Sequence, residues 1–214
     1  MCDREQLLNG MEQLDLSIAD HAVDKLLRYC QELQKWSRKI NLIARDTPAA
    51  EIVEKHFLDS LTLLPLLYRH GRPGANLLDV GSGAGFPGLV LAAAMPELRV
   101  TLLEPRQKRT AFLRHIIRTL AVGNVQVQEE RLEPGQTLPE PFTFITSRAV
   151  AAPAAFLALL EQSIGPETLV ILMQAEDNQH IFAQSPHWEL ADSLQFKLPF
   201  SQHPRSLTLV RKQG

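Results

Sequence analysis

The sequence contains only two cysteines, Cys2 and Cys30, and they form neither a C-x-x-C motif nor a disulfide framework. So few cysteines are typical of the reducing cytoplasm, which is the location that we predict. The seven histidines are scattered, and none pairs with a cysteine or a second histidine at the spacing of metal ligands. The sequence therefore predicts no metal site.

Long apolar runs and a large excess of one charge are also absent. No run in the 214 residues approaches membrane-spanning length, and the first residues lack the apolar core of a signal peptide. We therefore expect no membrane association. A formal net charge of −2 excludes a strongly basic nucleic-acid-binding protein, although it permits a local basic face. The length is that of one domain, with or without an extension.

The first 70 residues have a helical pattern. Ser17 or Asp20 is a suitable cap for a helix whose apolar positions form one stripe as far as Trp36. Such a helix packs its stripe against another part of the chain. We predict an N-terminal helical extension over residues 1–70 and a second domain over residues 71–214.

From residue 76 onward, short apolar runs alternate with helical patterns. This alternation predicts an α/β, Rossmann-like fold, with a mostly parallel seven-stranded sheet, helices on both faces and a C-terminal antiparallel hairpin. Helices are expected near residues 89–95, 106–120 and 153–162. Strands are expected near residues 77–80, 99–103, 125–128, 142–146, 169–173, 194–198 and 207–211.

A glycine-rich stretch follows the first predicted strand, with glycines at positions 81, 83, 85 and 88. A glycine loop between a strand and a helix lets backbone N–H groups approach a nucleotide-like ligand. A phosphate-binding P-loop is excluded because no Gly-Lys-Ser/Thr follows. The spacing of Gly83, Gly85 and Gly88 fits the dinucleotide fingerprint, so an NAD-dependent oxidoreductase stays open at this point.

Asp79 favours a different ligand. Together with Gly81, Gly83 and Gly85 it forms D-x-G-x-G-x-G, which resembles motif I of the Rossmann-like methyltransferases that use S-adenosylmethionine (SAM). SAM has no pyrophosphate. Its amino-acid end carries an ammonium group, and a carboxylate near the loop suits that charge.

Three positions after later strands are candidate site residues. Glu104 ends the second strand, where an acidic residue accepts hydrogen bonds from ribose hydroxyls. The segment 131–133 follows the third strand, at the place where this fold holds adenine. Arg148 follows the fourth strand and is expected to point into the crevice beyond the sheet.

The helix near residues 106–120 has no acidic residue between its first and last arginine. Like charges four residues apart slightly destabilise a helix, and an acidic polymer such as RNA relieves that repulsion. An RNA-binding face and an ordinary solvated face are equally good interpretations. The basic residues are Arg106, Lys108, Arg109, Arg114 and Arg118.

Residue types that the sequence lacks restrict the methyl acceptors that are compatible with it. No cysteine follows the fourth or fifth strand, although methylation of cytosine C5 needs a cysteine nucleophile. The Asn/Asp-Pro-Pro-aromatic motif common in methylation of exocyclic amines is absent too. Guanine N7 has a free lone pair, so its methylation needs only alignment with the methyl donor.

Several motifs that occur in this order closely resemble the RsmG, or GidB, family of bacterial methyltransferases, which modify guanine N7 in 16S ribosomal RNA. The resemblance covers about residues 30–150, and only the combination is specific. The motifs are Trp36…Asn41-Leu42, His56…Asp59-Ser60-Leu61, Leu77–Gly88, Lys108-Arg109…Phe112-Leu113, Arg131-Leu132-Glu133 and Ser147-Arg148-Ala149.

The resemblance implies SAM as the methyl donor and a 16S rRNA loop near the decoding region as the substrate, within the 30S subunit or an assembly precursor. We expect a monomer with Arg148 as its catalytic residue. The implied substrate residues are Asn41, His56, Lys108, Arg109, Arg114 and Arg118. The resemblance and the motifs described above together give nine expected cofactor residues. They are Asp79, Gly81, Gly83, Gly85, Phe86, Glu104, Leu132, Glu133 and Arg148.

One segment departs from the family pattern. After the fifth strand the family usually has a Lys-Gly pair, whereas this chain has Leu172-Met173-Gln174-Ala175-Glu176. This departure is the one feature that favours an inactive RNA-binding relative, which we keep as an alternative beside the oxidoreductase.

Overall fold

The computed structural model describes residues 2–44, 46–148, 152–175, 182, 185 and 187–213. No helix in these ranges is long and apolar enough to cross a membrane. A π-helical segment, Val53–Leu58, joins two short helices, Ala49–Ile52 and Asp59–Leu61. The helices are α1 (Arg4–Gln13), α2 (Asp20–Ser37), α3 (Ala49–Ile52), α4 (Asp59–Leu61), α5 (Leu64–His70), α6 (Gly88–Ala94), α7 (Gln107–Leu120) and α8 (Pro153–Leu160). The strands are β1 (Asn76–Val80), β2 (Arg99–Leu103), β3 (Val125–Gln128), β4 (Phe144–Ser147), β5 (Leu169–Gln174), β6 (Trp188–Lys197) and β7 (Pro204–Lys212).

The strands form one sheet in the order β3-β2-β1-β4-β5-β7-β6. Strands β1 to β5 are parallel, and β7 runs antiparallel to both β5 and β6. The predicted fold class, including the C-terminal hairpin, is confirmed. The order reverses between β1 and β4, which is where open α/β sheets form a ligand crevice at the carboxyl ends of the strands.

The two faces of the sheet bury different helices. Side chains alternate along β1, so Leu77 joins one apolar cluster while Leu78 and Val80 join another. Helix α8 belongs to the second cluster. The first cluster contains α6 and α7 together with the N-terminal helices, and α2 contacts both α6 and α7. The apolar stripe of α2 thus lies on the helices that flank the glycine loop. The division at residue 70 stays a prediction.

Strand β6 differs from its predicted bounds, because it begins at Trp188 rather than near residue 194. It lies at an edge of the sheet, and a register shift lies between Leu190 and Asp192. An edge strand with a bulge buries few of its side chains, so the alternation that identifies a strand is weak there.

The cysteines also differ from the prediction. Cys2, just before α1, and Cys30, on the buried face of α2, form a disulfide with their Cα atoms 6.2 Å apart. That separation suits a disulfide. The absence of a pairing was predicted from spacing alone, but the pair depends on the packing of α1 against α2.

Candidate active site

The glycine loop turns sharply between β1 and α6. Gly81, Gly83 and Gly85 have φ of +71°, +60° and +93°, which is the left-handed region that glycine adopts at low cost. The N–H groups of Gly81 and Ser82 donate to the carbonyl of Leu103, at 2.8 and 3.1 Å. The loop is therefore fixed across the carboxyl end of β2.

Asp79 is fully buried at the base of this loop. Its Oδ2 accepts a hydrogen bond of 2.9 Å from the N–H of Gly88, at the start of α6. Its Oδ1 has no hydrogen-bond partner among the described residues. Burial raises the pKa of Asp79 to about 6, and the bond from Gly88 only partly opposes that rise. Asp79 thus joins β1 to α6 and adds negative charge beneath the loop.

We expect Asp79→Asn to remove a pH dependence of stability. The raised pKa means that the folded protein binds a proton that the unfolded chain releases between pH 3.8 and about 6. The free energy of unfolding of the wild type therefore falls as the pH rises through that window, by roughly 3 kcal/mol, relative to the uncharged variant. Urea unfolding at pH 4 and pH 7 measures the difference. Asp24→Asn, an exposed change on α2, is the control. Parallel pH profiles for the wild type and Asp79→Asn would contradict the prediction.

Glu104 holds the other side of the loop. Its carboxylate accepts hydrogen bonds of 2.9 Å from the N–H groups of Gly83 and Arg106, and the guanidinium of Arg109 lies 3.7 Å away. Each carboxylate oxygen has two acceptor positions, so both oxygens can still accept from ribose hydroxyls. The residue thus both orders the glycine loop and offers acceptors to a ligand.

A first cavity of about 770 Å³ opens at the carboxyl ends of β1 and β2, and its volume is within the range of small-molecule sites. The structure brings seven of the nine predicted cofactor residues to its wall. They are Gly81, Gly83, Phe86, Glu104, Leu132, Glu133 and Arg148.

Asp79 and Gly85 were also expected at the ligand, but neither is among the residues that line this cavity. Asp79 lies below the loop, as described above. Gly85 faces the N-terminal helices, since a Cβ there would lie 2.4 Å from Tyr29 Oη. The hydroxyl of Tyr29 donates to the carbonyl of Ala84. Asp79 and Gly85 therefore shape the loop from its buried side.

The N-terminal part of the chain supplies one wall of the first cavity. Lys55 and His56 reach it from the π-helical segment, a wider turn that is frequent at functional sites. Sequence patterns indicated His56 only through the family resemblance, and Lys55 only as part of a basic region. The other wall residues from this part were not predicted as site residues, although Leu42 belongs to a motif of the resemblance. They are Leu42, Ile43, Ala44, Thr47 and Glu51.

Arg148 and His56 stand at the same aromatic ring. The Arg148 guanidinium carbon lies 4.9 Å from the centre of the Phe86 ring, and the His56 ring centre lies 5.0 Å from it. Arg148 Nη1 also donates to the carbonyl of Lys55 at 3.1 Å. The N-terminal helices and the end of β4 are therefore joined through one arginine.

His56 is electrically neutral at neutral pH. Burial lowers its pKa to about 3, and the positive charge of Arg148 contributes to the shift. Its Nδ1 is buried and has no hydrogen-bond partner among the described residues. A histidine with so low a pKa is a poor general base.

A second cavity, of about 710 Å³, shares Lys55, His56 and Arg148 with the first. Its remaining walls come from the ends of β4, β5 and β7 and from α4 and α8. The two cavities therefore meet at Arg148 and His56. The residues that line only the second cavity are Asp59, Ser147, Pro153, Phe156, Leu172, Met173, Gln174, Ala175, Arg205 and Leu207.

Most of the basic residues of α7 lie elsewhere. Lys108, Arg114 and Arg118 are exposed and line neither cavity, and Arg114 forms an ion pair of 3.3 Å with Glu129. Arg109 does line the first cavity, beside Glu104. Asn41 is exposed and lines neither cavity either. A role for the outlying residues in binding RNA stays a prediction.

We expect Glu104→Ala to weaken cofactor binding by about tenfold or more, because charge-assisted hydrogen bonds contribute roughly 1.5–3 kcal/mol. Titration calorimetry with SAM and with its 2′-deoxy analogue measures the effect. The loss should be larger for SAM, since the analogue has one hydroxyl fewer to lose. Glu140→Ala, at the opposite end of the sheet, is the control. Equal losses of affinity for the two compounds would mean that Glu104 does not bind the ribose 2′-hydroxyl.

Comparison with known proteins places this geometry in a family. Residues 22–208 match the family model GidB, rRNA small subunit methyltransferase G. The chain belongs to this family. Ribosomal RNA small subunit methyltransferase G of Desulfotalea psychrophila is 40% identical over 214 residues, covering 96% of this chain and 97% of that protein. The protein of the same name from Acidovorax sp. is 36% identical over 194 residues, covering 86% and 80%.

Membership of the methyltransferase G family makes the protein a methyltransferase, and the oxidoreductase alternative is excluded. Solved structures agree on the fold. MtNAS in complex with MTA and tNA has a TM-score of 0.61 at 19% identity, covering 100% of this chain and 83% of that one. An rRNA methylase from Streptococcus thermophilus has a TM-score of 0.51 at 11% identity, covering 72% and 96%.

Proposed function

We propose that this enzyme transfers the methyl group of SAM to N7 of a guanine in 16S rRNA, in a loop near the decoding region. One observation carries the proposal. Two cavities of suitable size meet at Arg148 and His56, and neither of these residues acts as a general base at neutral pH. A methyl transfer at such a junction suits an acceptor atom that has no proton to lose.

The first cavity fits SAM. A Cβ on Gly83 would have no protein atom nearer than 3.7 Å, so the loop leaves room for a ligand on that side. Glu104 offers carboxylate oxygens for ribose hydroxyls, and Leu132 and Glu133 stand where an adenine is expected. When bound, SAM supplies a methyl group activated by a positively charged sulfur.

The residues at the junction position the acceptor without taking a proton from it. Arg148 stays protonated at neutral pH, and its planar guanidinium can donate two parallel hydrogen bonds or stack on a base. Neutral His56 adds a flat ring beside Phe86. The lone pair of guanine N7 is left free, so alignment of N7 with the methyl group is sufficient for reaction.

The substrate is proposed to be 16S rRNA within the 30S subunit or an assembly precursor, bound by a monomer of the enzyme in the cytoplasm. The names of the curated relatives support an rRNA substrate. Positive groups at both cavities support contact with a phosphate backbone. They are Lys55, Arg106, Arg109, Arg131, Arg148 and Arg205.

Methyl transfer from isotopically labelled SAM tests the proposal. The purified enzyme is given free 16S rRNA, 30S subunits or an assembly precursor, and the RNA is digested to nucleosides for mass spectrometry. Label in 7-methylguanosine, mapped to one loop by chemical cleavage at that base, is the expected result. Label in another nucleoside, or none on any of the three substrates, would overturn the assignment of N7.

A further inference from the structure

The second cavity contains polar groups that the methyl transfer itself does not use. Asp59 and Arg205 form an ion pair in its wall, with Arg205 Nε donating to Asp59 Oδ1 at 2.9 Å. Asp59 is only 5% exposed. Gln174, the last residue of β5, carries a buried Oε1 without a hydrogen-bond partner among the described residues. A buried acceptor without a partner is costly unless a ligand satisfies it.

Apolar side chains complete this cavity. Phe156 of α8 and Leu172 of β5 are buried, and Leu207 of β7 is almost fully buried. A flat apolar surface with a few polar groups is the usual make-up of a pocket for a planar ring. The cavity is thus suited to a base taken out of an RNA loop, with its plane on apolar side chains and its edge at Asp59 and Gln174.

The polar groups favour guanine over the other purine. The Watson–Crick edge of guanine has two donors, N1–H and the 2-amino group, whereas adenine has an acceptor at N1. A carboxylate only accepts hydrogen bonds when it is ionised. The ion pair with Arg205, whose Nε lies 2.9 Å from Asp59 Oδ1, favours the ionised form, although burial raises the pKa of Asp59. Adenine would place its N1 lone pair against this carboxylate.

We propose that the second cavity holds the target guanine and that Asp59 and Gln174 select it by accepting hydrogen bonds from N1–H and the 2-amino group. This rests on the proposed function. The positions of Asp59 and Gln174 agree with a methyl group that arrives from the first cavity. Asp59 and Gln174 line only the second cavity, whereas Arg148 and His56 line both. The 2-amino group of guanine lies across the base from N7, so N7 can face the junction while N1–H and the 2-amino group meet the acceptors.

Inosine tests the selection, because it keeps N7 and N1–H but lacks the 2-amino group. The 30S subunits are reconstituted on 16S rRNA with guanosine or inosine at the target, and single-turnover methylation is measured for the wild type, Gln174→Ala and Asp59→Asn. We expect the wild type to methylate guanosine at least about tenfold faster than inosine, since a site built for a hydrogen bond rejects an analogue that lacks it. Gln174→Ala should bring the ratio close to one and leave SAM affinity unchanged.

The matched control is Gln128→Ala. Gln128 is the last residue of β3, as Gln174 is of β5, and it lines neither cavity, so its variant should keep the wild-type ratio. Thermal unfolding checks that each variant is folded, and Gln174→Ala removes no ion pair. If the ratio of the guanosine rate to the inosine rate is unchanged in both Gln174→Ala and Asp59→Asn, these residues do not select guanine. That result overturns this inference and leaves the proposed function standing. Failure of the wild type to form 7-methylguanosine overturns the proposed function, and this inference with it.

Discussion

Replacing Arg148 with lysine or alanine is expected to slow methyl transfer by about 100-fold or more, which is the cost that misplacement of reacting groups by about 1 Å can have. Arg148 lines both cavities, lies over the Phe86 ring and donates a hydrogen bond to the carbonyl of Lys55. Lysine keeps the charge but loses the planar fork that makes these contacts together, so it should not rescue the rate.

SAM affinity and single-turnover methylation of 30S subunits, measured for both variants, show which partner Arg148 serves. A loss of SAM affinity assigns it to the cofactor, whereas intact affinity with slow transfer assigns it to the RNA. Arg99→Lys is the matched control, because Arg99 begins β2 at the opposite end of the sheet and is exposed. A rate near that of the wild type in Arg148→Ala would place the residue outside the active site.

Gly85→Ala is expected to produce the largest loss of stability and to abolish SAM binding. The new Cβ would lie 2.4 Å from Tyr29 Oη, 3.0 Å from Leu113 Cδ2 and 3.1 Å from Leu89 Cβ, at a φ of +93°. Overpacking and left-handed strain together cost roughly 2–5 kcal/mol, which lowers Tm by about 5–15 °C in a chain of this length. The loop must move to relieve the contacts, and its N–H groups leave their places at the first cavity.

Gly74→Ala separates strain from packing. Gly74 has a φ of +80°, but no atom lies within 4 Å of the position that its Cβ would take. Calorimetric unfolding of both variants should show a small loss for Gly74→Ala and a much larger one for Gly85→Ala. Similar Tm values for the two would mean that Tyr29 and the neighbouring leucines yield easily, and would contradict the expected role of Gly85.

Features of the chain that depend on local periodicity and turn chemistry could be read from the sequence. The alternation of strands and helices predicted the sheet, and its bounds agree within about three residues except in β6. The glycines at 81, 83 and 85 predicted the tight loop, because few other residues adopt positive φ. Glu104 and Arg148 could be placed at the crevice, where both line the first cavity, because the carboxyl ends of parallel strands meet at one edge of the sheet.

Other features needed the tertiary structure, since they depend on how distant segments pack. Asp79 was predicted at the ligand, but the docking of α6 on β1 buries it under the loop. Helix α7 ends at Leu120, as predicted, but its left-handed C-cap is Ala121, with φ of +49°, rather than a glycine. The disulfide between Cys2 and Cys30 depends on the contact of α1 with α2.

The sequence by itself determined the fold, the glycine loop and the edge of the sheet where we propose the active site, because each is specified by residues close together in the chain. Only the tertiary structure decided what faces that edge. It placed Lys55 and His56 beside Arg148, opened the second cavity around Asp59 and Gln174, and left most of the basic residues of α7 outside. These contacts join segments far apart in sequence. The burial of apolar faces fixes where the helices dock, and the polar residues that this docking brings together carry no local sequence pattern of their own.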